Sequence, residues 1–254
     1  MLDIHRIPVL KDNYVWLVHE PGAGLTAVVD PAVAEPVEAA LRRQGWRLTH
    51  ILNTHHHGDH TGANLALKAA HGCTIVGPAA DRDRIPGIDV AVADGDRYAL
   101  GGAVAEVFDV PGHTRGHIAF WFADDGALFC GDTLFAMGCG RLFEGTPAQM
   151  WRSLGKLKAL PGAARVFCAH EYTQSNARFA LTVDGGNPAL VRRAAEVDAL
   201  RAAGEPTVPS TIALERATNP FLRADDPALA AAVGLPADDP VAVFAEVRRR
   251  KDSF

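Results

Sequence analysis

The stretch T-H-H-H-G-D-H-T-G, Thr54 to Gly62, decides how the chain is read. It places four of the eleven histidines and one aspartate between positions 55 and 60. The apolar run Thr49 to Leu52 precedes it and reads as a strand that delivers the chain into a turn. Neutral imidazole and carboxylate are ordinary ligands of Zn(II), Fe(II) and Mn(II). The alternation of His55 and His57 sends two rings to one side, and Asp59 and His60 can serve a second position. Gly58 is expected to allow the tight backbone of such a cluster. So few residues cannot complete two coordination shells, so partners are expected at the ends of other strands.

Three such partners follow. V-P-G-H-T-R-G-H, 110 to 117, offers His113; F-C-G-D-T-L-F, 129 to 135, offers Asp132; F-C-A-H-E-Y-T, 167 to 173, offers His170. Each lies just past a β-like run. A lone histidine after a strand is more often structural than ligating. The HxHxDH spacing, joined to three later sites at strand ends, outweighs a surface histidine patch.

The rest of the chain gives the setting. Its 254 residues are 48% hydrophobic and 22% charged, with net charge -5. That is ordinary globular composition, long enough to bury a core. A dedicated duplex binder is usually basic, so no nucleic-acid partner is expected. No apolar run approaches the ~18 residues of a membrane span, and the N-terminus shows no signal-peptide pattern. Cys73, Cys130, Cys139 and Cys168 form no CxxC pair and read as reduced thiols of a cytoplasmic protein.

The first two thirds alternate strand-like and helix-like runs. Strands are expected at 14–18, 25–29, 49–52, 74–76, 104–110, 118–122, 127–130 and 165–169, with helices at 35–44, 62–71 and 147–160. From about Tyr172 helical spacing takes over, at 173–182, 188–203, 210–217 and 240–251. The expectation is an α/β domain over 1–170 followed by an all-helical domain over 171–254.

The order His55, His57, Asp59, His60, His113, Asp132, His170 resembles the metallo-β-lactamase superfamily. D-N-Y at 12–14, G-D-T-L-F at 131–135, G-C-G-R-L-F-E-G-T at 138–146, H-E-Y-T at 170–173 and R-R-R-K-D at 248–252 are similar to one branch of it, the hydroxyacylglutathione hydrolases (glyoxalase II). The resemblance runs over essentially the whole chain, and its specific part is HEYT with the C-terminal RxxKD. It implies an αββα sandwich in the catalytic domain and a glutathione-binding helical domain. By carry-over, His55, His57 and His113 hold one metal, Asp59, His60 and His170 a second, and Asp132 bridges both. His117 and Asp30 orient ligands, and His56 is not one.

Further implications follow from the same resemblance. The cofactors are two divalent metals per chain, with zinc expected and iron or manganese as alternatives. A hydroxide bridging the metals attacks a thioester carbonyl, so no separate catalytic residue is named, and the leaving thiolate needs no general acid. The substrate is a small glutathione thioester, S-D-lactoylglutathione. Arg141, Phe143, Tyr172, Arg248 and Lys251 match its contacts, although Phe143 stands where many relatives have a hydrogen-bonding Tyr. Arg248 and Lys251 otherwise read as a solvated helix face. A monomer is expected. The readings set against this one are an iron persulfide dioxygenase-like enzyme, a lactamase or nuclease of the same fold, and a metal-storage protein.

Overall fold

The computed structural model describes residues 1–254. It opens with strands whose apolar residues recur too densely for a single buried face. β1 (Asp3–Val9), β2 (Asn13–Glu20) and β3 (Leu25–Val29) pair antiparallel. β4 (His50–Leu52), β5 (Thr74–Pro78) and β6 (Val90–Val92) add on in parallel, giving a six-stranded sheet in the order β1-β2-β3-β4-β5-β6. Ile7, Val15, Leu17, Val28, Ile51 and Ile75 join one apolar cluster with Val37 and Leu41 of α1 (Ala34–Gln44) and Leu67 of α3 (Asn64–His71). The alternate residues Trp16, Val18, Ala27, Val29 and Leu52 are buried too. Burial on both faces is why these strands read as continuous apolar runs.

Between α1 and α3 lies the short helix α2 (Gly58–Thr61), which carries Asp59 and His60. A second, antiparallel run follows: β7 (Arg97–Leu100), β8 (Ala103–Asp109), β9 (Ile118–Phe122) and β10 (Ala127–Gly131), each paired with the next. Parallel strands need crossover helices, and α1 and α3 supply them. Both stop at a left-handed glycine, Gly45 (φ 69°) and Gly72 (φ 64°). At Gly45 the Trp46 N–H also reaches back to Leu41 O at 3.0 Å, which satisfies a carbonyl the helix end would orphan.

The chain forms two compact units, Met1–Asp109 with Arg115–Gly131, and Val110–Thr114 with Asp132–Phe254. The second holds the small hairpin β11 (Leu134–Phe135) and β12 (Gly138–Cys139), then α4 (Pro147–Lys158) and β13 (Arg165–Cys168). After these come α5 (Thr173–Asp184), α6 (Pro188–Ala202), β14 (Ser210–Thr211), α7 (Ile212–Thr218), α8 (Pro227–Val233) and α9 (Pro240–Asp252). Polar-Pro pairs start four of these helices. Thr146-Pro147, Asn187-Pro188, Asp226-Pro227 and Asp239-Pro240 each place a side-chain acceptor before a residue whose φ already suits a helix.

The structure differs from expectation in several elements: strands β1, β6, β7, β11, β12 and β14 were not anticipated. The helix expected from 210 starts at 212, because Ser210 and Thr211 pair with Val166 and Arg165 and Thr211 then caps Leu214 N. The helix expected from 62 starts at Asn64. α8 was not anticipated, although Asp226-Pro227 and Gly234 bracket it. No helix is long and apolar enough to cross a membrane.

Gly45 isolates a backbone effect, since a Cβ there would meet nothing within 4 Å. Gly45→Ala should lower stability by about 1 kcal/mol through the left-handed φ alone. Gly45→Asn should lose less, as read by urea unfolding at unchanged m.

Candidate metal centre

In the first unit the turn after β4 gathers its imidazoles by fixing their protons. Asp30 is the anchor. Its carboxylate accepts from Thr54 N (2.7 Å) and Thr54 Oγ1 (2.6 Å). It also accepts from His60 Nδ1 (3.2 Å). A carboxylate can only accept, so His60 carries its proton on Nδ1 and its lone pair on Nε2. The Thr54 hydroxyl proton is spent on Asp30, so Thr54 Oγ1 accepts from His55 Nδ1 at 3.1 Å. His55 therefore also presents Nε2 as its lone-pair nitrogen. That Nε2 lies 3.1 Å from His57 Nδ1, and His60 Nε2 lies 3.5 Å from Asp59 Oδ2. His55, His57, Asp59 and His60 are thus brought together.

Three neighbours complete this half. His56 turns elsewhere, to Asp81 Oδ2 (3.3 Å) and Arg84 Nη1 (3.1 Å). The His117 ring stacks on His55 at 4.5 Å and donates Nδ1–H to Ile118 O at 3.0 Å. Asn13 Nδ2 donates to Asp59 Oδ2 at 3.0 Å. Asp30, His55 and His60 could by proximity hold an ion themselves, but the Asp30 oxygens already accept three donors, which makes it an orienting group.

Glycine is needed at a different place from the one expected. Gly58 has an ordinary φ and open space where a Cβ would sit, so it imposes nothing. The close approach is at Gly62, where a Cβ would lie 2.6 Å from Ala32 O and 2.7 Å from Gly58 O. Gly131 is as constrained, with φ 47° and Thr54 Oγ1 in the way of any side chain.

In the second unit Asp132 sits between two rings. Its Oδ2 lies 3.4 Å from His113 Nε2 and its Oδ1 3.4 Å from His170 Nε2. His113 donates Nδ1–H to Arg141 O at 2.9 Å, which again leaves the lone pair on Nε2. His113, Asp132 and His170 are all buried. Neutral imidazoles with Nε2 turned toward carboxylates are the donor chemistry a divalent metal takes, so the residues present fit such an ion.

The expected substrate contacts divide. Tyr172 stacks on His170 at 4.6 Å with 5° between the rings. Phe143 is 62% exposed and presents its ring to His113 at 5.1 Å. Lys251 is half-buried over the rings of Phe179 (5.3 Å) and Phe254 (5.1 Å). Burial, with repulsion from Arg248 and Arg141, lowers its pKa to about 8. Arg248 differs from the solvated face: it is 4% exposed, donates Nη1 to Cys139 O at 3.0 Å and pairs Nη2 with Asp252 at 2.7 Å. Sequence reasoning gave no role to Asn13 or Thr54. Both lie in quoted motifs, D-N-Y and T-H-H-H-G-D-H, but their residue types did not mark them as holders of a proton or a carboxylate.

Comparisons with known proteins agree on one group. The Hydroxyacylglutathione hydrolase C-terminus family model matches residues 171–254, and the Metallo-beta-lactamase superfamily model matches residues 10–170. A hydroxyacylglutathione hydrolase of Methylococcus capsulatus is 66% identical over 254 residues, covering 100% of this chain and 99% of its own. One from Rhodospirillum rubrum is 60% identical over 253 residues, covering 100% and 99%. Among solved structures, ETHE1 from Myxococcus xanthus superposes with TM-score 0.70 at 23% identity, covering 98% of this chain and 90% of that one, a likeness of fold alone.

Asp30 is the acceptor for the buried Thr54 N–H and the His60 ring. Asp30→Ala should cost roughly 3 kcal/mol, because Thr54 N–H and the His60 ring lose their acceptor. Thermal unfolding of the metal-depleted protein checks this without any contribution from bound ions.

Proposed function

Because the chain belongs to the hydroxyacylglutathione hydrolases of the metallo-beta-lactamase superfamily, we propose that it hydrolyses S-D-lactoylglutathione to D-lactate and glutathione, the second step of methylglyoxal detoxification. Its α/β fold is that superfamily's fold, and its His/Asp donor sets suit divalent metals. The observation that carries the proposal is Asp132, whose two carboxylate oxygens each face the Nε2 of a different histidine at 3.4 Å. That is the arrangement a bridging ligand requires.

We assign His55, His57 and His113 to one metal, Asp59, His60 and His170 to a second, and Asp132 to both. Zinc is the proposed occupant. When bound, the metals supply Lewis acidity, which makes hydroxide available at neutral pH and polarises a thioester carbonyl. The chain's own part is to fix ring protons: His55, His60 and His113 each keep Nδ1–H on an acceptor, which leaves the lone pair on Nε2. Hydrolysis forms a C–O bond and breaks the C–S bond, and a thiolate departs without a proton because a free thiol has a pKa near ~8.5. No side chain is therefore assigned as general acid.

The glutathione end is assigned to Lys251, Arg141 and Tyr172, with the exposed Phe143 ring as an apolar flank. Lys251 supplies a cationic donor for a carboxylate. Arg248 contributes from behind, through Cys139 O. We assign 1–170 and 171–254 as the catalytic and glutathione-binding domains, supported by the two family spans. The compact units cut across this division because residues 132–170 cohere with the helices. A cytoplasmic location is supported by four buried cysteines, none in a disulfide.

The test is release of glutathione from S-D-lactoylglutathione, before and after metal removal and re-addition. Activity should vanish on chelation and return with zinc, and Asp132→Ala should lack both activity and full metal content. Turnover by that variant at the parent rate would reject the assignment of Asp132. Lys251→Ala should raise KM with kcat little changed, as loss of uniform binding does. The lysine is cationic below its pKa of about 8, so the parent KM should be lowest below pH 8 and climb above it. The variant should show no such inflection.

A further inference from the structure

The hairpin after Asp132 is held by side chains more than by itself. β11 and β12 have two residues each, far below the usual strand length. Yet every residue from Phe135 to Cys139 has a backbone group bonded to a helical or cap side chain. Asn219 Nδ2, just past α7, donates to Phe135 O (3.2 Å) and Gly138 O (2.9 Å). Asn176 of α5 donates to Ala136 O at 3.1 Å. Glu215 of α7 accepts from Met137 N at 2.8 Å. Arg248 of α9 donates to Cys139 O at 3.0 Å.

Two features set Glu215 and Asn219 apart. Met137 is a non-glycine residue at φ 58°, a strained conformation that persists only where the surroundings impose it. Glu215 meets its N–H from a fully buried position, with Ser210 Oγ on Oε1 and Asn219 Nδ2 on Oε2 at 2.9 Å. Burial raises the pKa of Glu215, opposed by the bonds from Ser210, Met137 N and Asn219 and by the Arg193 charge; with three donors directed at its two oxygens, the carboxyl serves as an acceptor. The hairpin ends also matter. Gly140 N returns to Thr133 O at 3.3 Å. A side chain at 140 would strike Asp132 O. The next carbonyl, Arg141 O, takes the His113 proton.

We propose that Glu215 and Asn219 are positioning residues for the metal donors Asp132 and His113. They lock the left-handed turn at Met137, and the locked hairpin fixes both where Asp132 leaves the strand and where Arg141 O receives the His113 ring. The inference rests on Asp132 and His113 being donors, as proposed above. It assigns no contact with substrate to either residue. Glu215 and Asn219 act only through the hairpin.

Zinc affinity of the full-length protein, measured by competition with a chromophoric chelator, tests this apart from activity. Asp132→Ala is the reference for a lost donor. Asn219→Ala and Glu215→Leu should each weaken zinc about 10-fold or more, the range for groups that orient a ligand. Glu215→Gln should restore parental affinity, since its carbonyl can still accept from Met137 N and Asn219 while its amide meets Ser210. A purely structural role would lower the unfolding midpoint in Asn219→Ala and Glu215→Leu with zinc affinity unchanged, and that result overturns the proposal. If Glu215→Leu does not fold, Asn219→Ala and Asn176→Ala decide by the same criterion. Parental affinity in Asp132→Ala would instead reject Asp132 as a donor, and the proposal with it.

Discussion

An imidazole that offers a lone pair at Nε2 must keep its proton on Nδ1, and in a buried place something must hold that proton. Most of the site follows from this constraint. Asp30 holds it for His60, Thr54 for His55, and the Arg141 carbonyl for His113. These holders are drawn from the end of β3, the end of β4 and the loop after β12. The sheet and the hairpin are therefore the devices that deliver an acceptor to these three rings. Were a ring's tautomer reversed, its proton would face the donors and compete with any cation.

Holding protons this way moves the cost to the holders. Asp30 is buried and its oxygens accept three donors. Arg141 O must sit where His113 reaches it, which requires the loop around Gly140 to run close to Asp132. Glycine appears where backbone approaches backbone or Thr54, at Gly62, Gly131 and Gly140. Hydrogen bonds inside such a packed region are worth more than at a surface, and a missing one costs correspondingly more.

Much of this was legible in the sequence, and the illegible part has a common character. The strands from Leu25, Ile118, Ala127 and Arg165 follow from β-branched and aromatic runs between turn residues. The seven candidate donors are visible because their residue types are uncommon in such spacing. Asn13, Thr54, Glu215 and Asn219 were not singled out. They are ordinary residues whose roles depend on partners far along the chain, such as Met137 for Glu215. Gly58 was credited with a turn that Gly62 requires, because the collision lies with Ala32 O, thirty residues earlier in sequence. Apart from the resemblance, which made it a glutathione contact, Arg248 read as a solvated charge because helical spacing reports a face, and only the fold shows that this face meets Cys139 and Phe221.

The basic end of the chain carries a charge imbalance that the hairpin helps to maintain. Arg248 is committed to Cys139 O and Asp252, yet its charge and that of Arg141 still repel the Lys251 ammonium. Burial over Phe179 and Phe254 adds to the same effect. A lysine whose cationic form is disfavoured gains most when an anion arrives, because binding relieves both repulsion and desolvation. A glutathione carboxylate is such an anion. The potential is local, since the chain as a whole is acidic, so it favours anions at this place without making the protein a general polyanion binder.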